Sequence, residues 1–308
     1  MDYGALVKKA LDIMWKFKYL WVFGFFVQAL SGGGGGIGRL SDKWDKFKFP
    51  VGRWADSWNG LNGLKVTIDN HIGELALAVI LLLILAAFLI FLIFLVLGII
   101  SQGGLIHCVS RIQAGEKPTL GQGWSVGVKN FWRMLGIWII IVILVLASVF
   151  LILVPFILVI IASGVLGLLF GMFLIPLFIL AIIFISLIDF YSTRTCILEG
   201  KGVFDSLAGG WETLKNNLSK TIMVTIISIG STIVYIIGLI IVGLILAIPF
   251  VLIAIANPLL GIVLGVLAGL IYIIVVTGAW GAYIDSLWTL AFMELKKLKP
   301  AEEAQGEM

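Results

Sequence analysis

Charge is scarce in this chain. Only 12% of its 308 residues are Asp, Glu, Lys or Arg, while 61% are hydrophobic and the mean hydropathy is +1.16. That balance excludes an ordinary soluble domain, which needs far more polar surface to stay in water. Histidine and cysteine are nearly missing, at two each. His71 and His107 would lie about 54 Å apart on a continuous helix rising ~1.5 Å per residue, so they cannot share a metal. Cys108 and Cys196 lack CxxC spacing and read as small core residues in a reducing compartment. Gly32 to Gly38 are followed by Arg39 and Leu40 rather than the Lys and Ser or Thr of a phosphate loop, so a flexible surface segment is the expectation. No nucleophile stands beside a base in the apolar stretches. The expectations are therefore no catalytic residue, no metal and no cofactor.

What fills the chain instead is long uncharged runs. Leu75 to Ile100 exceeds the ~20 residues needed to cross a hydrocarbon core. Leu135 to Ile188 is too long for one crossing and is interrupted near Ala162, Ser163 and Gly164, giving spans at Leu135 to Ile161 and Val165 to Ile188. Thr221 to Ile284 is likewise two crossings, divided around Pro249 and the Asn257 and Pro258 pair, where proline removes a backbone donor. A sixth span, Tyr19 to Leu30, is short and runs into Ser31 and five glycines. A signal peptide is its rival, with Lys8, Lys9, Lys16 and Lys18 ahead of a brief apolar core. Asp2, Asp12 and the long leader favour a true first helix. The expected fold is thus an all-α integral membrane protein of six transmembrane helices in three hairpins, forming a single domain over residues 1–308.

Lys and Arg near helix ends stay on the cytoplasmic side. Of 21 basic residues, those at 8, 9, 16, 18, 111, 117, 129, 133, 194, 201, 215, 220, 296, 297 and 299 fall on one side of the spans. The rest lie in Arg39 to Lys65 and are largely offset by Asp42, Asp45, Asp56 and Asp69. Both termini are therefore expected in the cytoplasm, with residues 31–73 an extracytoplasmic loop and 300–308 a disordered tail. In that loop Trp44, Phe47, Phe49, Trp54 and Trp58 alternate with Lys43, Lys46, Lys48 and Arg53. On an outer face this reads as an amphipathic element on headgroups rather than a nucleic-acid surface.

An internal repeat is visible in what precedes each odd-numbered span. Leu6, Ala10, Ile13 and Phe17 share a helical face before the first span, and Leu120, Trp124, Val128 and Phe131 do so before the third. Phe204, Leu207, Trp211, Leu214 and Leu218 repeat the spacing before the fifth. These are expected to be interfacial helices, aromatic side down and basic side toward phosphate. The lipid-interface candidates are Trp15, Lys16, Lys18, Trp124, Lys129, Arg133, Trp211 and Lys215. After the even spans the helices are expected to continue as extensions, Leu105 to Ala114, Phe190 to Glu199 and Tyr283 to Leu298. The repeat units are approximately 1–115, 116–200 and 201–299. Arg111 to Glu116 and Arg194 to Glu199 echo each other, both an Arg followed five residues later by a Glu.

Three further sets stand out. Thr225, Ser228, Thr232 and Tyr235 place hydroxyls in one stripe along span five, for which helix packing is expected ahead of a solute path. Gly261, Gly265 and Gly269 form a small-residue strip on span six, a helix-packing signal directed inside the molecule before dimerisation. Asp189, Arg194 and Asp285 end apolar runs at the inner face, where a structural ion pair is expected ahead of a proton or ion site.

The segments "MDYGALVKKALDIMWKFKYLWVFGFF", "RIQAGEKPTLGQGW", "RTCILEGKGVFDSLAGGW" and "SLWTLAFMEL" resemble uncharacterised bacterial six-span membrane proteins. These are similar to the membrane domain that precedes some glycerophosphoryl diester phosphodiesterases. The resemblance implies a fold more than a function. No soluble catalytic barrel accompanies it here, so it argues against phosphodiesterase activity. The functional expectation is a non-enzymatic multi-pass protein of a bacterial or archaeal inner membrane. It would engage lipid headgroups and a protein partner or second copy, but no nucleic acid, in membrane or envelope homeostasis. The alternative is a transporter of a small or lipid-like solute through a cavity lined by span five, and the third reading is a lipid-modifying enzyme.

Overall fold

The computed structural model describes residues 1–30, 65–163 and 165–296. Most of the expected outer loop (31–64), the turn at Gly164 and the expected tail lie outside the described residues. The described chain is a succession of helices: α1 (Tyr3–Lys16), α2 (Leu20–Leu30), α3 (Lys65–Gln113), α4 (Leu120–Lys129), α5 (Phe131–Ser163), α6 (Val165–Leu198), α7 (Val203–Asn216), α8 (Leu218–Ala256) and α9 (Pro258–Lys296). Five contain segments long and apolar enough to cross a membrane, within α3, α5, α6, α8 and α9. Of the first expected span and the glycine segment it runs into, only Tyr19 to Leu30 falls within the described residues. Its helix α2 has 11 residues and covers only ~17 Å at ~1.5 Å per residue, against ~30 Å of hydrocarbon.

Local chemistry sets the helix ends. Asp2 caps α1 by accepting from the Ala5 N–H at 3.0 Å. Thr119 and Gln122 form a reciprocal capping box at the start of α4, with bonds of 3.3 and 2.8 Å. Gly115 at φ +88° and Gly200 at φ +65° take the left-handed conformation just past α3 and α6, where a side chain would be strained. Between α8 and α9 the break falls at Asn257 and Pro258 alone, and the Asn257 carboxamide accepts from the Leu260 N–H at 3.2 Å. Pro249, expected to share in that break, lies inside α8, as Pro155 does in α5 and Pro176 in α6. Mid-helix proline forfeits one hydrogen bond, and long apolar helices tolerate it where neighbouring helices, Ser or Thr side chains or water re-satisfy the freed carbonyl.

The chain divides into two compact units, Gln28–Gly98 and residues 1–27 with 99–308. In the first, side chains from Val79 to Ile93 are almost all exposed and aliphatic or aromatic. In the second, one hydrophobic core forms at the ends of the long helices. It gathers Leu105, Cys108 and Val109 of α3, Tyr191 of α6, and Leu287, Trp288, Ala291 and Phe292 of α9 with Leu6, Ala10 and Ile13 of α1. The expected extensions are continuous with their long helices, reaching Gln113, Leu198 and Lys296.

Backbones meet without intervening side chains at several crossings among the described residues. A Cβ added to Gly24 of α2 would overlap the backbone of Gly278 and Ala282 in α9, and one on Gly281 would overlap Gly24. A Cβ on Gly127 of α4 would overlap the Ile100 carbonyl of α3. The glycine strip expected on span six behaves differently. Gly261 packs tightly on Ala254, but Gly265 meets only Phe250 at 3.3 Å and Gly269 faces open space. From that end α8 and α9 leave a groove of 460 Å³ lined by Gly243, Ala247, Phe250, Gly265, Gly269 and Tyr272. The Tyr272 hydroxyl donates across it to the Leu239 carbonyl at 2.9 Å.

Candidate functional site

Arg194 is the largest side chain wholly removed from solvent, and its position explains how that is tolerated. It sits in the terminal turns of α6, where Phe190 is one helical turn back. Nη1 donates to the Phe190 carbonyl at 2.8 Å and the guanidinium lies 5.3 Å from the Phe190 ring centroid. Nη2 reaches across to α9 and donates to the Asp285 carboxylate at 2.7 Å. The side chains of Arg194 and Asp285 are 0% and 3% exposed, so the pair neutralises itself in a dry environment. An aromatic wall closes it off: Phe190 stacks on Trp288 at 4.8 Å, and Tyr191 meets Trp288 edge-on at 6.0 Å while its hydroxyl bonds Thr221 at 2.8 Å. Of the three guanidinium nitrogens, Nε has no hydrogen-bond partner among the described residues.

Of the three residues expected to pair, the structure joins two. The Asp189 carboxylate makes no ion pair among the described residues, although it lies close enough to Arg194 and Asp285 to interact with both electrostatically, and its carbonyl accepts from the Thr193 hydroxyl at 2.9 Å. The echoed Arg and Glu spacing also splits. Arg111 does bond Glu116, at 2.8 Å. Arg194 turns to Asp285 instead, leaving Glu199 to Lys201 at 2.8 Å and to Lys296. Burial raises the Glu199 carboxyl, but the hydrogen bonds from Lys201 and Lys296 outweigh it and hold the group below its ordinary value. This cluster ties the end of α6 to the end of α9. It went unseen in the sequence because its members stand far apart and each reads as solvated charge.

Two hydroxyls of the α8 stripe bond back to their own helix. Thr225 donates to the Thr221 carbonyl at 2.9 Å and Thr232 to that of Ser228 at 2.7 Å. Ser228 is buried without a partner, and the Tyr235 ring stacks on Trp280 of α9 at 4.4 Å. None of the four lines the groove between α8 and α9.

Helix α7 presents its aromatic residues outward, whereas Trp124 of α4 packs partly against the core. On α7, Ser206, Gly209, Gly210 and Thr213 are buried, while Phe204 is 79% and Trp211 49% exposed. On α4, Gly123 and Gly127 pack inward, Leu120 and Val128 face out, and Trp124 is half-buried. Just beyond, Trp132 is 77% exposed, beside exposed Lys129 and Arg133. Arg133 Nη1 donates to the Gly200 carbonyl at 3.0 Å. Lys215 is exposed on α7. Helix α1 departs from this pattern, since Leu6, Ala10 and Ile13 fill the core. Trp15, Lys16 and Lys18 remain exposed there, with Trp15 edge-on to Trp21 at 6.0 Å. Cys108 and Cys196 are buried free thiols, and among the described residues no three His, Cys, Asp or Glu side chains gather as a metal site.

Comparison with known proteins yields a family and no activity. The chain belongs to a family of unknown function (DUF7544), which it matches over residues 14–292. That match carries no link to glycerophosphoryl diester phosphodiesterases. No curated protein and no solved structure matches the chain.

Proposed function

We propose that this protein is a non-catalytic, multi-pass component of a bacterial or archaeal inner membrane, with both termini cytoplasmic, that holds phospholipid headgroups against its short basic helices. The observation that carries this reading is the outward turn of Trp132, Phe204 and Trp211 beside exposed Lys129, Arg133 and Lys215, with the small residues of α4 and α7 packed inward. In water such aromatic exposure is costly, whereas at a bilayer surface the rings enter the acyl boundary and the cations meet phosphate. Of the three short helices read as a repeat, α4 and α7 stand directly ahead of long apolar helices with small residues packed inward, while α1 gives its apolar face to the core. The resemblance to the membrane domain of the phosphodiesterases agrees with a lipid-facing role, without the enzyme's chemistry. A protein partner or second copy would meet the same membrane face, which supports a place in membrane or envelope homeostasis; nucleic acid has no role in it.

Native mass spectrometry of the full chain, released from its own membranes in mild detergent, tests the reading. Reproducible retention of a phospholipid, reduced when Lys129 and Lys215 are changed to Gln, is expected. A chain that carries no lipid through gentle release overturns it.

A further inference from the structure

A concave basic pocket lies between α1 and the turn that follows α3. Its volume is 280 Å³, and Lys9, Asp12 and Lys16 of α1 meet Glu116 and Lys117 there over the apolar Ile13, Phe17 and Ile112. Two features build it. Residues 9, 12 and 16 are spaced by three and four, which sets them on one helical face. Gly115, at φ +88°, reverses the chain so that Glu116 and Lys117 return toward that face, and the Tyr19 hydroxyl pins the turn by donating to the Pro118 carbonyl at 2.6 Å.

The charges do not cancel. Glu116 is engaged by Arg111 at 2.8 Å. Among the described residues no carboxylate lies within ion-pair distance of Lys9, Lys16 or Lys117, and Asp12 alone offsets the three ammonium groups within the pocket. Lys9, Lys16 and Lys117 are exposed, so a phosphate can reach all three from outside, and the apolar floor suits a ligand that is itself amphiphilic. Exposed Trp15 and half-buried Trp21 lie on the adjoining turns, the pattern of a helix seated at a membrane surface.

We infer that this pocket binds the phosphate of an anionic phospholipid headgroup, held by Lys9, Lys16 and Lys117. The inference rests on the lipid-headgroup reading above and gives it a defined site. The test is native mass spectrometry of the full chain in detergent, titrated with dioleoyl phosphatidylglycerol, dioleoyl phosphatidylcholine or inorganic phosphate. The wild type is expected to retain phosphatidylglycerol in preference to phosphatidylcholine. K9Q/K117Q should weaken that retention by ~5-fold per lysine removed. K9R/K117R should restore it, and K8Q/K220Q, which removes the same charge outside the pocket, should leave it unchanged. Full retention by K9Q/K117Q combined with loss in K129Q/K215Q overturns the pocket and leaves the wider headgroup reading standing. No preference for phosphatidylglycerol in the wild type overturns both. Lysine-dependent binding of inorganic phosphate without the lipid reassigns the pocket to a soluble anion and overturns the headgroup.

Discussion

Along α9 the rule of burial reverses. Leu270, Ile271 and Ile273 point outward, whereas every side chain from Asp285 to Met293 is buried, including an aspartate, a serine and a threonine. The outward part follows the economy of a helix in lipid, where an aliphatic side chain gains nothing by turning inward and only shape and hydrogen bonds draw helices together. The buried part follows that of a water-soluble core, with apolar area removed from water and polar groups paired. The same contrast separates the groove between α8 and α9, which stays open at Gly269, from the crossing of α2 and α9, where Gly24 and Gly281 leave no room for a methyl group. Close backbone packing and buried polar pairs therefore gather along α9 from Gly278 onward, while the stretch around Leu270 to Ile273 turns most of its side chains outward.

The largest expected effect comes from removing half of the buried ion pair. Arg194→Met strands the Asp285 carboxylate in the core and should cost ~3–5 kcal/mol, seen as a collapse in the yield of monodisperse protein. Arg194→Met with Asp285→Leu should recover most of that loss. A double variant as poor as the single one would mean the pair sets the packing itself, and the contrast between the two ends would need another basis. Gly281→Val, by driving a side chain into the Gly24 backbone, should cost ~1–3 kcal/mol. Gly269→Ala, in the open groove, should shift the melting temperature by no more than the ~0.5 kcal/mol of a neutral surface change. Equal losses at the two glycines would erase the distinction.

Smaller effects sharpen it. Glu199 is held below its ordinary value, so its pairing with Lys201 and Lys296 contributes fully above the unfolded carboxyl's titration near pH ~4.5. The contribution fades as pH falls through the lower folded value. Melting curves at neutral and acid pH should show Glu199→Gln less stable than wild type by ~1 kcal/mol or less at neutral pH, with the gap closing in acid. Smallest of all, Thr225→Val with Ser228→Ala should change stability by less than ~1 kcal/mol and leave any solute flux in proteoliposomes untouched. Lost flux with intact folding would revive the transport reading.

Much of the helical layout is legible in the residues. Asn257 with Pro258, Gly115 and Gly200 each mark a real helix end because their backbone chemistry is local. Arg194 and Asp285 also stand out, since charges at the ends of apolar runs demand partners. What cannot be read is which way a helix turns when its surroundings are apolar. Around α7 the face expected toward lipid, Phe204, Leu207, Trp211, Leu214 and Leu218, splits: Phe204, Trp211 and Leu218 are exposed, while Leu214 is buried along with Ser206, Gly209, Gly210 and Thr213. Small residues allow close approach, and hydrophobicity stops signalling burial once the solvent is itself apolar. The tight glycines were missed for a related reason. Gly278 and Gly281 pack against α2, whereas the more regular Gly261, Gly265 and Gly269 pack closely only at their first member. Spacing shows that a contact is possible, and the partner's own glycine makes it happen.

The contact of Gly24 with Gly278 and Gly281 has a consequence for how the family can vary. Every replacement at these positions adds at least a Cβ, and each would meet main chain, which cannot step aside as a side chain tip would. No sequence one mutation away keeps this crossing intact, so change there requires the two helices to move apart together. Sequence drift should therefore pass around these glycines through the aliphatic positions that face the lipid, where one hydrocarbon surface substitutes freely for another.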